Sequence, residues 1–153
     1  MRYLFYVLPL LIISSTPAAS QPLRALVDSQ DYVFQVQSYQ PPGDIRRYLT
    51  TSNYTVQVAG DKIISDLPYL GREYFSSVDP THLGWQFTSE KFEYTLSPGK
   101  KDGWTVLIKP KDNQDIRGLR LNISSTGYAK LEILSNSREL VTLDGIVAAP
   151  DNR

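Results

Sequence analysis

The chain has 153 residues, of which 41% are hydrophobic and 21% charged, which is the apolar content of one globular domain with an ordinary core. It contains no Cys and a single His, which excludes cysteine nucleophiles, cysteine-ligated metal ions and sites built on paired histidines. Its 16 basic and 16 acidic residues cancel, so there is no general attraction for a polyanion. We therefore expect no metal, no cofactor and no nucleic-acid partner.

The N-terminal segment has the order of a secretory signal peptide. Arg2 is followed by an apolar run over 3–13, and small or polar residues come next. The eleven residues of that run are too few to span a bilayer, which takes about 20. We therefore expect a signal peptide over 1–20, cleaved between Ala18 and Gln21.

Residues 21–153 are expected to form a single β-rich domain that is exported, either to a periplasm or out of the cell. An exported chain without Cys fits a bacterial envelope better than a eukaryotic secretory route, where disulfides are common. A lipoprotein signal requires a Cys at the cleavage site. The mature chain is therefore expected to carry neither a lipid nor a transmembrane anchor.

The start of the mature chain predicts one short helix and then a strand. Over 22–29, Leu23, Leu26 and Val27 have helical spacing, which predicts a helix that plugs or caps a sheet. From Tyr32 onward the hydrophobic period is two, and the first strand is predicted over 31–39.

The remaining alternating runs predict a series of short strands. Runs at 54–58 and 62–65 flank the tight turn Ala59-Gly60-Asp61 and predict a hairpin. Further strands are predicted at 85–87, 92–96, 104–108, 119–123, 129–133 and 140–147.

Clean alternation and short connections together favour an antiparallel meander of about eight strands, because parallel pairs need long crossovers. We expect a mainly antiparallel all-β fold, a curled sheet or open barrel. A β-sandwich is the alternative.

One irregular stretch, 66–84, is the candidate for a ligand-binding site. There Tyr69, Arg72 and Tyr74 could line a pocket in which the guanidinium holds an anion between aromatic walls. In the alternative interpretation, the apolar side chains of this stretch cover an edge of the sheet and Arg72 forms a surface ion pair. The lone His82 is expected to be solvent-exposed.

Acidic residues provide no evident catalytic pair. Glu90 and Glu93 are predicted on opposite faces of a strand, so their carboxylates cannot converge on one bond. Asp112 and Asp115 fall in a predicted turn, where Asp is common because its side chain bonds to the local backbone.

Several segments of the chain resemble the DUF4251 family of Bacteroidetes envelope proteins. They are the run over 54–74, Phe92-Glu93-Tyr94, the run over 104–111 and Gly127-Tyr128-Ala129-Lys130-Leu131. The resemblance covers roughly 31–148, and its most specific part is Leu67 to Tyr74, where Leu70 and Glu73 depart from the family pattern. It implies a secreted or periplasmic β-rich domain and no established activity. Members of the family are often lipoproteins, but this chain lacks the Cys that a lipid anchor needs.

The residues favour a non-enzymatic envelope protein that binds a small ligand, a glycan or another envelope protein. Two alternatives stay open at this point. One is a hydrolase whose site is assembled only by folding, and the other is a secreted inhibitor that inserts a loop into its target.

We predict that the exported protein begins near Gln21 and carries no lipid. N-terminal sequencing and intact-mass measurement of the protein recovered from the producing cell's envelope fractions check this prediction. Recovery of the full chain from Met1, embedded in a membrane, would contradict it.

Overall fold

The computed structural model describes residues 20–50, 53–68 and 84–151. Over those residues the chain forms one helix and ten strands. In chain order these are α1 Ser20–Asp28, β1 Asp31–Gln40, β2 Arg47–Tyr48, β3 Thr55–Ala59, β4 Lys62–Pro68, β5 Gly84–Ser89, β6 Phe92–Pro98, β7 Trp104–Pro110, β8 Ile116–Ile123, β9 Tyr128–Ser135 and β10 Thr142–Ala148.

The strands form one antiparallel sheet that curls into a nearly closed barrel. Nine strands follow the order β5-β4-β3-β1-β10-β9-β8-β7-β6, and β2 pairs with the C-terminal part of β1. The first long strand is therefore a neighbour of the last one. The expected antiparallel curled sheet or open barrel is confirmed, whereas the alternative β-sandwich is not what the described strands form.

β5 and β6 are two halves of one interrupted strand at the seam of the barrel. Eight antiparallel pairings separate them in the sheet order, so they run in the same direction, and only Glu90 and Lys91 lie between them in the chain. Asp112 secures the interruption, because its carboxylate accepts hydrogen bonds from the Ser89 hydroxyl at 2.5 Å and from the Glu90 backbone N–H at 2.9 Å. These hydrogen bonds hold the pKa of Asp112 below its usual value.

The core fills the interior of the barrel, and α1 contributes to it. The predicted short N-terminal helix is confirmed, and its Leu23 and Val27 are buried. The hydroxyl of Tyr94 donates a hydrogen bond to the Val27 carbonyl at 3.1 Å, and the hydroxyl of the fully buried Tyr32 lies 3.3 Å from that of Tyr94. Burial raises the pKa of Tyr32, so this hydroxyl stays protonated and available as a donor.

β4 and β2 are among the elements that differ from the sequence prediction. β4 continues to Pro68, beyond the predicted end near Ser65, and Leu67 is fully buried within it. The proline is compatible with the strand because it lies beyond the last β3–β4 pair, Thr55 with Asp66, so β4 has β5 as its single described neighbour there, as an edge strand does. β2 has only two residues, too few to show an alternating pattern in the sequence, and it is recognisable only from its pairing with β1.

Gly60 and Gly127 are predicted to be conformational requirements of turns, and both have positive φ, +60° and +91°. No heavy atom lies within 4 Å of a Cβ built on Gly60, so a side chain there would cost only backbone strain. We expect Gly60→Val to lower the free energy of unfolding by about 1–2 kcal/mol and Gly60→Asn to lower it less, because Asn tolerates this conformation. Urea denaturation of both variants measures the difference, and identical midpoints for the two variants and the parent would contradict it.

Gly145 allows β10 to approach β1 closely. A Cβ at this position would overlap the Gln35 carbonyl oxygen and lie 3.0 Å from Cε2 of Phe34. We expect Gly145→Ala to destabilise the protein by about 1–3 kcal/mol, as overpacking usually does.

Gly118→Ala on β8 is the matched control, since its Cβ would meet no atom closer than 3.4 Å. Thermal melts of the two variants test the prediction. Equal melting temperatures would show that the β1–β10 contact is not the restrictive one.

Candidate functional site

A groove of about 1190 Å³ crosses the outer face of the barrel. Its floor is formed by β1, β10, β9, β8 and β7, one wall is the segment 46–50, which contains β2, and the other wall is the loop 98–100 between β6 and β7. We call this feature the outer groove. Its volume exceeds the 300–1,000 Å³ that is typical of small-molecule pockets, so it has room for a ligand of several rings.

A row of polar side chains runs along the floor of the outer groove. Residues directly opposite each other on antiparallel strands project from the same face. The pairing register places in one row Ser38, Asp144, Lys130, Asn122 and Thr105. Ser38, at one end of the row, is only 3% exposed. The rest of the row points outward, since Lys130 and Asn122 are exposed whereas Ala129 and Leu131 beside them are buried. With strands about 4.8 Å apart, it is about 19 Å long.

Charged groups are concentrated around Asp144. Its Oδ2 lies 3.2 Å from Nη2 of Arg46, and its Oδ1 lies 3.8 Å from Nζ of Lys130. Each cationic side chain is nearly half exposed, 44% for Arg46 and 46% for Lys130, so both keep N–H groups on the solvent side. Further along the row, the Thr105 hydroxyl donates a hydrogen bond to Oδ1 of Asn122 at 2.9 Å, which leaves the Asn122 amide N–H₂ oriented as a donor.

Large apolar side chains are exposed at the outer groove. Tyr48 is 78% exposed and Tyr128 is 66% exposed, and both line the groove. Ile45, which is 74% exposed, precedes the wall that carries Tyr48. Of the four exposed large hydrophobic residues in the described part of the chain, only Leu140 neither lines the groove nor is adjacent in sequence to a residue that does. Such clustering is typical of binding surfaces, whereas single scattered residues are not informative.

A β-bulge in β1 positions one wall of the groove. The register shifts between Val36, which lies opposite Gly145, and Ser38, which lies opposite Asp144, so Gln37 is the extra residue. The Gln37 carbonyl accepts a hydrogen bond from the backbone N–H of Leu49 at 2.9 Å. The bulge therefore holds the segment that contains Tyr48 beside the floor.

The residues predicted from sequence to form a site, Tyr69, Arg72 and Tyr74, lie outside the described residues, as does His82. The pocket proposed for them stays a prediction. Of the residues in the outer groove, Tyr128 had a signal in the sequence, because an aromatic residue stands on the polar face of an alternating strand. Arg46 and Tyr48 had none, because they belong to a segment without periodicity.

The acidic residues of the 112–115 turn serve the fold rather than the groove. Partial burial opposes ionisation of Asp115, but hydrogen bonds from the hydroxyls of Ser137 and Ser135 outweigh that effect and lower its pKa. Across 20–50, 53–68 and 84–151, no group of three or more acidic or histidine side chains could hold a metal ion. No helix within those ranges has the length and apolar character to cross a bilayer.

Comparison with known proteins identifies a family. The chain is similar to the crystal structure of a DUF4251 family protein from Bacteroides eggerthii DSM 20697, with a TM-score of 0.64 and 13% identity over 86% of this chain and 87% of that one. No match was found among the curated proteins. The model of the family described as "Domain of unknown function (DUF4251)" matches residues 17–147, far more than half of the chain. The protein therefore belongs to the DUF4251 family.

Proposed function

We propose that this protein is a non-enzymatic domain of a bacterial envelope, exported to the periplasm or beyond, that binds a glycan in the outer groove. The observation that carries the proposal is the combination of two exposed tyrosines, Tyr48 and Tyr128, with a row of hydrogen-bonding side chains in the same groove. The signal peptide predicted over 1–20 and the resemblance to Bacteroidetes envelope proteins support the location.

The chemistry of the outer groove suits a sugar. A pyranose ring has apolar C–H faces, which pack on exposed aromatic rings, and a rim of hydroxyls, which bond to amides and hydroxyls. Tyrosine combines an apolar ring with a polar tip and suits such amphipathic ligands. The Asn122 amide and the Thr105 hydroxyl can bond to ring substituents from the floor.

The dimensions of the row favour a chain of sugars over a single one. Ser38 is buried, and the four other side chains of the row are spaced by the distance between strands, about 4.8 Å, which is close to the length of one unit in an extended oligosaccharide. An oligosaccharide that lay across the strands would therefore meet one polar side chain per unit. A ligand of one ring would use only a small part of the groove.

Binding is favoured over hydrolysis by the acidic groups of the outer groove. Glycoside hydrolysis ordinarily uses two carboxyl groups on either side of the bond that breaks. Asp144 is the one carboxylate among the described residues that line the groove, and it is ion-paired with Arg46. We therefore propose recognition without bond cleavage.

We expect Tyr128→Ala and Tyr48→Ala each to weaken glycan binding up to about tenfold, since an aromatic contact contributes roughly 0.5–1.5 kcal/mol beyond simple burial. Because both side chains are exposed, each substitution should change the free energy of unfolding by less than about 0.5 kcal/mol. Tyr128→Phe should keep most of the affinity, because the ring is retained.

A glycan array identifies the ligands, and isothermal titration of the best ligand with each variant measures the effect. Leu140→Ala, at a 40% exposed apolar residue that does not line the groove, is the control and should bind as the parent does. Absence of any bound glycan, or equal binding by parent, Tyr48→Ala and Tyr128→Ala, would contradict the proposal.

A further inference from the structure

Positive charge is concentrated in the outer groove of a chain that is neutral overall. The full chain has 16 basic and 16 acidic residues. Among the described residues that line the groove, Arg46, Lys100 and Lys130 are cationic and Asp144 alone is anionic. The groove therefore has an excess of two positive charges that the rest of the molecule must balance elsewhere.

The cations stand at two places along the groove. Arg46 and Lys130 flank Asp144, which neutralises one of them, so this end retains one net positive charge. A guanidinium has five N–H donors, and its contact with Asp144 leaves others for a ligand.

Lys100 stands on the opposite wall, and its backbone is held by the turn between β6 and β7. Gly99 N–H donates to the Gly103 carbonyl at 2.9 Å, and Gly103 N–H donates to the Lys100 carbonyl at 3.1 Å. Within the part of the chain that the structure describes, no carboxylate pairs with the Lys100 ammonium, which is exposed. The second positive position is therefore presented to solvent on a hydrogen-bonded turn.

We infer that the glycan bound in the outer groove is acidic, with carboxylate or sulfate groups on units that lie against Arg46 and Lys130 at one end and Lys100 at the other. This inference rests on the proposed function and adds the charge of the ligand to it. Charge-assisted hydrogen bonds from Lys or Arg to an anionic group are about twice as strong as neutral ones, so the spacing of the anions selects among glycans. A neutral sugar chain would provide no anionic group to pair with the excess positive charge of the groove.

The test compares matched glycans that differ only in charge. Oligogalacturonate is titrated against its fully methyl-esterified form, and dextran sulfate against dextran. We expect each acidic member to bind at least about tenfold more tightly than its neutral counterpart at low ionic strength, with the difference shrinking as salt is added. The two pairs separate carboxylate from sulfate recognition, and preference for the acidic member of either pair supports the inference.

Charge-neutralising variants show whether the groove is responsible. Lys100→Gln and Lys130→Gln should each weaken binding of the preferred acidic glycan by about fivefold, with little effect on folding because both side chains are exposed. Lys62→Gln, at an exposed lysine of the β3–β4 hairpin outside the groove, should change the affinity less than twofold.

The outcomes distinguish this inference from the proposed function. Equal binding of neutral and acidic members, with loss of both in Tyr128→Ala, would overturn the acidic ligand and leave glycan binding standing. Binding of none of the four glycans would overturn the acidic ligand, and absence of any bound glycan on the array, or binding of phosphatidylglycerol vesicles alone, would overturn both. Equal losses of affinity for the acidic glycan in Lys62→Gln and Lys100→Gln would show that surface charge attracts the glycan without a specific site. That outcome would also overturn the inference.

Discussion

The pairing of β1 with β10 is the contact on which the rest of the molecule depends. β1 pairs with β3 through 31–35 and with β10 through 33–40, so it joins the first strands of the chain to the last ones. Without this pairing the sheet would have two further open edges, each with unpaired backbone groups. Any side chain at position 145 would overlap the Gln35 carbonyl. The two strands can therefore approach this closely only because residue 145 is a glycine.

The same pairing builds the outer groove. In a regular strand, successive side chains alternate between faces, so Val36 and Ser38 would project to the same side. The bulge at Gln37 changes the pairing, so that Ser38, which is itself buried, lies opposite the outward-facing Asp144 while Val36 stays in the core. One extra residue therefore places the 46–50 segment beside the floor and gives the outer face of the sheet a wall.

The ion pairs of the groove contribute little to the stability of the fold. Arg46 and Lys130 are nearly half exposed, and exposed pairs of this kind usually contribute about 0–1 kcal/mol. The barrel is held instead by the buried side chains of its interior and by the helix that the Tyr94 hydroxyl joins to it. The inward side chains of these strands thus stabilise the barrel, and the outward side chains of the same strands form the proposed binding site.

The features of this protein that depend on local pattern could be predicted from its amino-acid sequence. Alternation predicted antiparallel strands with one buried face, which in β1 carries Tyr32, Phe34 and Val36, and glycine chemistry predicted the turn at Gly60. The short helix followed from the spacing of Leu23 and Val27. Each of these features is set by residues that are close in the chain, so the sequence of one short segment is enough to predict it.

The closure of the barrel and the composition of the groove depend on contacts between distant segments of the chain. Asp144 and Arg46 are nearly a hundred residues apart in the chain, and nothing in either segment indicates the other. Their meeting depends on the register of β1 against β10, and a single extra residue at Gln37 changes which face the following side chains occupy. A site assembled from five strands and two connections is a property of that register, because each strand contributes one or two ordinary polar residues that have no distinctive spacing of their own.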